Sequence, residues 1–295
     1  MQRLPVIAAY CGMCLIWGTT WLAIKIGLHT LGPLTGVGLR FVIAALFLFA
    51  IAAVSRALRP LREIPWKLVA VFATTLFGLN YILTYTAETR LDSGLVSVLF
   101  GTLPFFTFGF GHVMVHERTT PRIWIGASIA FAGVAVISLA GQVQGSPLFA
   151  LCAIAAAGVS AFANVYAKRH SHHDPLLTLP PSMFIAGAVI LVAGLIFERT
   201  DWSAVTTAPS LAALLYLAIF GSGIAFFLNL WVLHRLPVWI VGMSSLIFPV
   251  IAITVGILFG GEQFGTRELA GSLLVIAGMA IALSAPQQTD NVPQT

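Results

Sequence analysis

Charge is what this chain has least of. Lys, Arg, Asp and Glu make up only 8% of its 295 residues, and apolar types make up 59%. Soluble chains carry roughly 25% and about 45–50% respectively. A globule of this size could neither coat itself with so few charges nor hide so much apolar surface from water. A soluble enzyme, a nucleic-acid module and a disordered chain are all excluded. The net charge of +5 reflects 15 basic residues dispersed along the chain, whereas nucleic-acid binding requires them gathered on one face. Cysteine is also scarce: three residues, an odd number, imply no disulfide framework. Cys11 and Cys14 have C-x-x-C spacing, but redox chemistry needs an accessible thiolate at a helix N-terminus. Inside an apolar run they serve as small apolar side chains. The chain has no G-x-x-x-x-G-K-[ST] phosphate loop, which disfavours ATP-driven work.

Long apolar runs are what it does have. A helical span needs about 20 mainly apolar residues to cross a hydrocarbon core roughly 30 Å thick. Ten such spans are predicted: Val6–Leu28, Pro33–Val54, Trp66–Thr86, Ser93–Val115, Arg122–Leu139, Pro147–Lys168, Leu176–Phe197, Leu211–Leu233, Pro237–Phe259 and Arg267–Ser284. Barrel strands would instead be ~10-residue alternating stretches. The first run is too long for a signal-peptide core of about 7–15 residues. Trp17, Trp21 and Lys25 also occupy the place of its cleavage site. The fold class expected is an all-α integral membrane protein, multi-pass, in a bacterial inner membrane. A polar tail, 285–295, is expected to be disordered.

Basic loop residues set the orientation. With the N-terminus inside, the inner loops hold Arg3, Arg56, Arg59, Arg62, Lys67, Arg118, Arg122, Lys168, Arg169 and Arg235. The outer loops hold Arg90, Arg199 and Arg267. Both termini are therefore expected in the cytoplasm.

The chain repeats itself. Shifted by 145 positions, Leu76–Val136 lies on Gly221–Ile281 without a gap. Gly78 meets Gly223, Tyr81 meets Phe226, Pro104 meets Pro249, Glu117 meets Glu262, Gly126 meets Gly271 and Gly133 meets Gly278. Five spans per copy force the second copy to enter the membrane from the opposite side, the inverted-repeat construction of secondary transporters. The expected halves are 1–141 and 146–284.

On these residues the chain resembles a known family. The Trp17-Gly18-Thr19-Thr20-Trp21 cluster, the Pro33…Arg40 spacing and the block from Pro104 through Glu117-Arg118 to Gly133 match its pattern. Over residues 1–284 the sequence is similar to EamA-type members of the drug/metabolite transporter superfamily. The resemblance implies export or exchange of small organic metabolites, often amino acids or drug-like compounds, without fixing the substrate.

All ten carboxylates fall at span ends, in loops or in the tail, so no proton relay of the usual midplane kind is visible. His170, His172 and His173 form a loop cluster that reads as solvated, since it lacks a closed ligand set. No metal and no cofactor are expected. Lys25 and Arg40 fall within spans, where a cation costs about 2.5–3.5 kcal/mol and tends to face a cavity or a partner. Snorkelling suits Lys25. Arg40, seven residues into its span, fits an interior role in substrate attraction or helix packing. Trp17, Trp21 and Lys25 share one stripe; Asn80 and Thr84 share another with Glu88, beside Tyr81. Ser160 and Asn164 lie one turn apart near Phe162, and the eighth span carries Phe226 and Asn229. Polar groups in lipid are costly unless bonded. Helix–helix hydrogen bonding explains any one of these residues, but the set from four spans suits a pocket with apolar walls and few polar contacts. Pro104 and Pro249 are expected to kink mid-span and act as hinges, with matched positions that point to the site.

These readings lead to a secondary transporter that works by alternating access around a central cavity free of acids. Amino acids, including aromatic ones, are its leading substrates; other metabolites or drug-like compounds are the alternative. A channel or an intramembrane enzyme fits less well, because neither a continuous polar stripe nor a catalytic cluster is visible. Its partners are membrane lipid and a small-molecule substrate, with no nucleic acid. The oligomeric state is left open, and a monomer is sufficient.

The topology is testable. Reporter fusions after residues 60 and 170 should read cytoplasmic, and a fusion after residue 143 external. An external reading at 170 would overturn both the orientation and the inversion.

Overall fold

In lipid every backbone N–H and C=O must find a partner within the protein, so helices and closed barrels are the available spanning structures. The computed structural model describes residues 3–28, 30–91, 93–138, 147–200, 202–260 and 265–285. Among these, the side chains at 3, 21, 22, 25–28, 93, 94, 138, 204, 253, 256–260 and 268 are not described. Helices account for all the regular structure of the described residues. Among the described residues, six spans are long and apolar enough to cross a membrane by themselves. Four shorter apolar helices, Leu4–Thr20, Pro121–Ile137, Val238–Ala252 and Leu269–Leu283, complete ten passes.

The chain is an all-α protein of two inverted five-helix repeats, and the inversion is visible at the glycines. A Cβ on Gly126 would stand 2.5 Å from the Gly278 carbonyl, and one on Gly133 would stand 2.6 Å from that of Gly271. The fifth and tenth spans therefore cross backbone to backbone. Early residues of one meet late residues of the other, so the two run antiparallel. Gly126 corresponds to Gly271 and Gly133 to Gly278 in the repeat, so equivalent helices run in opposite directions. The second and seventh spans pair likewise. A Cβ on Gly38 would collide with the Leu191 backbone, and one on Gly194 with Thr35.

Two carboxylates lash one half to the other at helix starts. The first turn of a helix has unpaired N–H groups and a positive dipole end, which an acid satisfies. Glu198, after the seventh span, accepts from the Leu34 and Thr35 amides and the Thr35 hydroxyl, each at 2.8 Å. Glu117, after the fourth, accepts from the Val238 amide at 2.8 and 2.9 Å. Glu117, one of the carboxylates that the sequence places at span ends, in loops or in the tail, thus caps a helix of the opposite half. Its repeat partner Glu262 lies outside the described residues, as does 286–295.

Two features depart from smooth helices. The third span, Trp66–Glu88, contains a π-helical stretch over Phe72–Leu79, and the eighth, Ala208–Leu233, contains one over Leu217–Ile224. They are 145 positions apart, the shift of the repeat. The fourth span is broken into Ser93–Phe100 and Leu103–Val115, and the ninth passes from Val238–Gly242 through a 3-10 turn, Met243–Leu246, to Phe248–Gly260. This corrects the expectation of kinks within continuous helices. Pro104 and Pro249 each occupy the first turn of a second half-helix, where a missing N–H is tolerated, and the break lies just before them.

Leucine at the glycine crossings should be costly. Overpacking a core costs about 1–3 kcal/mol, and here the obstacle is backbone. Gly126→Leu or Gly278→Leu is expected at or above that upper bound, read as a lower melting midpoint in detergent. Gly109→Leu, whose Cβ would meet nothing within 4 Å, should leave the midpoint unchanged.

Candidate substrate cavity

π-Helical turns frequently mark functional positions, and a helix carbonyl can accept a second donor on its remaining lone pair. The Gly221 carbonyl, in the π stretch of the eighth span, accepts from the Trp17 indole at 3.2 Å and from Arg40 Nη2 at 3.2 Å. Arg40 Nε donates to the neighbouring Ser222 hydroxyl at 2.6 Å. The repeat-equivalent carbonyl, Leu76, accepts from the Asn80 amide at 3.3 Å. One distortion, copied into both halves, thus fixes side chains from the first, second and third spans.

The groups fixed in this way surround a cavity of about 140 Å³ between the two halves. An apolar cavity of about 150 Å³ takes up benzene, so the space suits a small organic molecule. Arg40 is 3% exposed, with its guanidinium 5.4 Å from the centre of the Tyr81 ring and 5.9 Å from that of Phe41. A cation at this depth is costly. Here two hydrogen bonds and two aromatic rings offset the loss of water. The walls are an edge-to-face mesh: Trp17 lies 5.2 Å from Phe226 and 5.5 Å from Phe248, and Phe41 lies 4.7 Å from Tyr81. Such pairs contribute roughly 0.5–1.5 kcal/mol each beyond their buried area.

Of the residues singled out in the sequence, Trp17, Arg40, Asn80, Tyr81, Thr84, Ser160, Asn164, Phe226 and Asn229 line this cavity. Asn229 donates to the Asn164 carbonyl oxygen at 2.9 Å, linking the eighth and sixth spans. Asn80 Oδ1 is buried and accepts no hydrogen bond among the described residues. The side chains of Trp21 and Lys25 lie outside the described residues. Phe162 does not line the cavity. Its ring packs on Phe110 at 5.9 Å and Tyr166 at 5.9 Å, because the face of the sixth span that carries Ser160 and Asn164 turns it away. Pro104 and Pro249 adjoin the lining at Leu103 and Phe248.

The sequence missed several groups. Thr20, Ser244 and Ser245 line the cavity, the serines from the 3-10 turn of the broken ninth span. Glu88 lines it too, which corrects the expectation of a cavity without acids. The i, i+4, i+8 stripe of Asn80, Thr84 and Glu88 carried that signal. It was outweighed by Glu88's place at the span end, which reads as an interfacial charge.

On the face that carries the termini, the helix ends are tied. Glu117 holds the start of the ninth span, Lys168 donates to the Leu233 and Leu236 carbonyls at 2.7 and 2.9 Å, and the Tyr10 hydroxyl donates to the Ile240 carbonyl at 3.0 Å. The lining residues run from this floor to Glu88, at the far end of the third span. The histidines of the loop on the termini face pack ring on ring, His172 on His173 at 4.0 Å. No metal-holding group of three or more His, Cys, Asp or Glu occurs among the described residues. Burial, then the neighbouring His172 and His170, hold the His173 ring below its ordinary pKa. Cys11 and Cys14 are free thiols in the first span.

The sequence of the EamA-like transporter family matches twice, over residues 4–139 and 147–284. The chain belongs to this family. The uncharacterized inner membrane transporter YedA of Escherichia coli K12 is 29% identical over 96% of the chain and 92% of its own length. The uncharacterized transporter YoaV of Bacillus subtilis 168 is 31% identical, covering 93% and 95%. A probable amino-acid metabolite efflux pump of Salmonella typhimurium LT2 is 30% identical, covering 90% of each. A solved crystal structure shares the fold, with a TM-score of 0.85 at 21% identity over 95% of this chain and 97% of that one. The family and its relatives' names point to transport of small metabolites by a multi-pass membrane protein, and away from catalysis.

Ser222→Ala removes a hydrogen bond to a buried cation, a contact worth about 1.5–3 kcal/mol. It should lower the melting midpoint, while Ser222→Thr, which keeps the hydroxyl, should restore most of the loss. Equal midpoints for all three proteins would show that Arg40 is held by other groups.

Proposed function

We propose that the chain exports amino acids, including aromatic ones, across the inner membrane by alternating access, with both termini in the cytoplasm. The observation that carries this reading is the anchored Arg40 beside an aromatic-walled cavity of single-ring size in the seam between two inverted halves. A substrate carboxylate takes a charge-assisted hydrogen bond from Arg40, and an aromatic or large apolar side chain packs against Trp17, Tyr81 or Phe226. The two halves, 1–141 and 146–284, supply opposite walls. The Salmonella relative's name as a probable amino-acid metabolite efflux pump supports the substrate class.

With the termini in the cytoplasm, the ties around Glu117, Lys168 and Tyr10 close the cytoplasmic face, and the cavity faces outward. Export requires the opposite state, in which those ties part and the far face closes. The breaks before Pro104 and Pro249 are the bend points. A half-helix that starts at a proline has no ladder hydrogen bond to lose when it swings.

Cells that express the protein should resist toxic amino acid analogues more than quaternary ammonium compounds, and Arg40→Gln should lose that resistance. Proteoliposomes should show saturable amino acid flux. Pro104→Ala and Pro249→Ala should each reduce that flux several-fold while the protein stays folded in the membrane. The reverse resistance ranking with a harmless Arg40→Gln would overturn the substrate assignment, and unchanged flux in both proline variants would reduce the prolines to packing.

A further inference from the structure

The cavity holds two opposite charges that do not meet. Arg40 is fixed by the Gly221 carbonyl and the Ser222 hydroxyl. Glu88 is only half-buried at the far end of the third span and forms no ion pair or hydrogen bond among the described residues. Tyr85 stands beside both. Opposite charges in a low-dielectric space attract strongly, and a flexible pair left to itself would close. The anchoring of Arg40 across the seam prevents closure, so the fold keeps open a gap that one ligand with both charges can bridge.

A second observation lies on the same stripe. Asn80, Thr84 and Glu88 follow at i, i+4 and i+8, and so share one face of their span. The Asn80 Oδ1 is a buried acceptor with no partner among the described residues, a condition that native proteins rarely leave unanswered. The Thr84 hydroxyl gives its proton to the Asn80 backbone carbonyl at 2.9 Å, so it turns only lone pairs outward. The stripe thus offers three acceptors in a row, from a neutral oxygen inward to a carboxylate at the mouth.

We propose that this acceptor stripe, with Glu88 as its charged end, binds the ammonium group of the substrate, so that the cavity selects zwitterions over molecules with one charge. This inference rests on the amino acid reading above and adds the group that recognises the cationic end. Glu88 meets the ammonium end and Arg40 the carboxylate end, and the requirement for both charges is what excludes simple carboxylates and simple amines.

The test uses the full-length protein in proteoliposomes with three probes of one shape: phenylalanine, 3-phenylpropionate and phenethylamine. Wild type is expected to carry phenylalanine saturably, with the single-charge probes competing at least tenfold more weakly. Glu88→Gln, isosteric and without a protein partner to lose, should weaken phenylalanine competition about tenfold or more and leave 3-phenylpropionate unchanged. Glu88→Asp should recover part of the preference, and a monodisperse profile in detergent shows that each variant is folded. Saturable phenylalanine flux with the same preference in wild type and Glu88→Gln would overturn the role of Glu88 while leaving the exporter reading in place. Absence of saturable flux of any amino acid by wild type would instead remove the exporter reading, and this inference with it.

Discussion

Two donors converge on one carbonyl oxygen, that of Gly221, and the cavity's shape follows from it. The Trp17 indole belongs to the first span, the Arg40 guanidinium to the second and the carbonyl to the eighth. That oxygen lies in the π stretch over Leu217–Ile224, its second lone pair can accept from outside the ladder, and the absence of a side chain on Gly221 lets both donors approach. A Cβ there would stand 2.9 Å from Thr20 and 3.2 Å from Arg40 Nη2. With Arg40 held, Tyr81 and Phe41 have a cation to pack against, and the aromatic mesh around Trp17 closes the walls.

The same requirement, that no polar group in lipid go unanswered, governs the few charges this chain carries. They are used where helices end. Glu198 and Glu117 satisfy first-turn amides of the opposite half, while Lys168 and Arg267 satisfy last-turn carbonyls, Arg267 through Val136 at 2.6 Å. Each pairing matches the sign of the helix dipole at that end. Four of the chain's charged residues thus fasten helix ends together, whereas Arg40 and Glu88 line the cavity.

The spans and the repeat were legible in the sequence because they rest on length and composition. Runs of about 20 apolar residues have one outcome in lipid, and Gly126, Gly133, Gly271 and Gly278 keep their register only if both copies use them in the same way. Arg40 stood out because a cation inside a span demands a reason. The π stretches did not show, since Phe72–Leu79 and Leu217–Ile224 read as any apolar helix; hydrogen-bond register leaves no mark on composition. The breaks were half-legible. The prolines marked the place, but not the turn at residues 101–102 or the 3-10 turn at Met243–Leu246 that precede them. Phe162 was misplaced for a related reason. Its neighbours Ser160 and Asn164 face inward, and a residue between them on a helix must face elsewhere.

The glycine crossings bear on how the two halves can move. The locked pairs are the second span with the seventh and the fifth with the tenth, so each pair takes one member from either half. Contacts of backbone on backbone leave no side chain to yield, and each pair behaves as one strut. The halves are therefore cross-braced through both pairs. The freedom that remains belongs to the six unbraced spans, and four of these carry a break or a π stretch. In the alternating-access mechanism proposed above, the working parts are bends inside helices, mounted on a frame that both halves share.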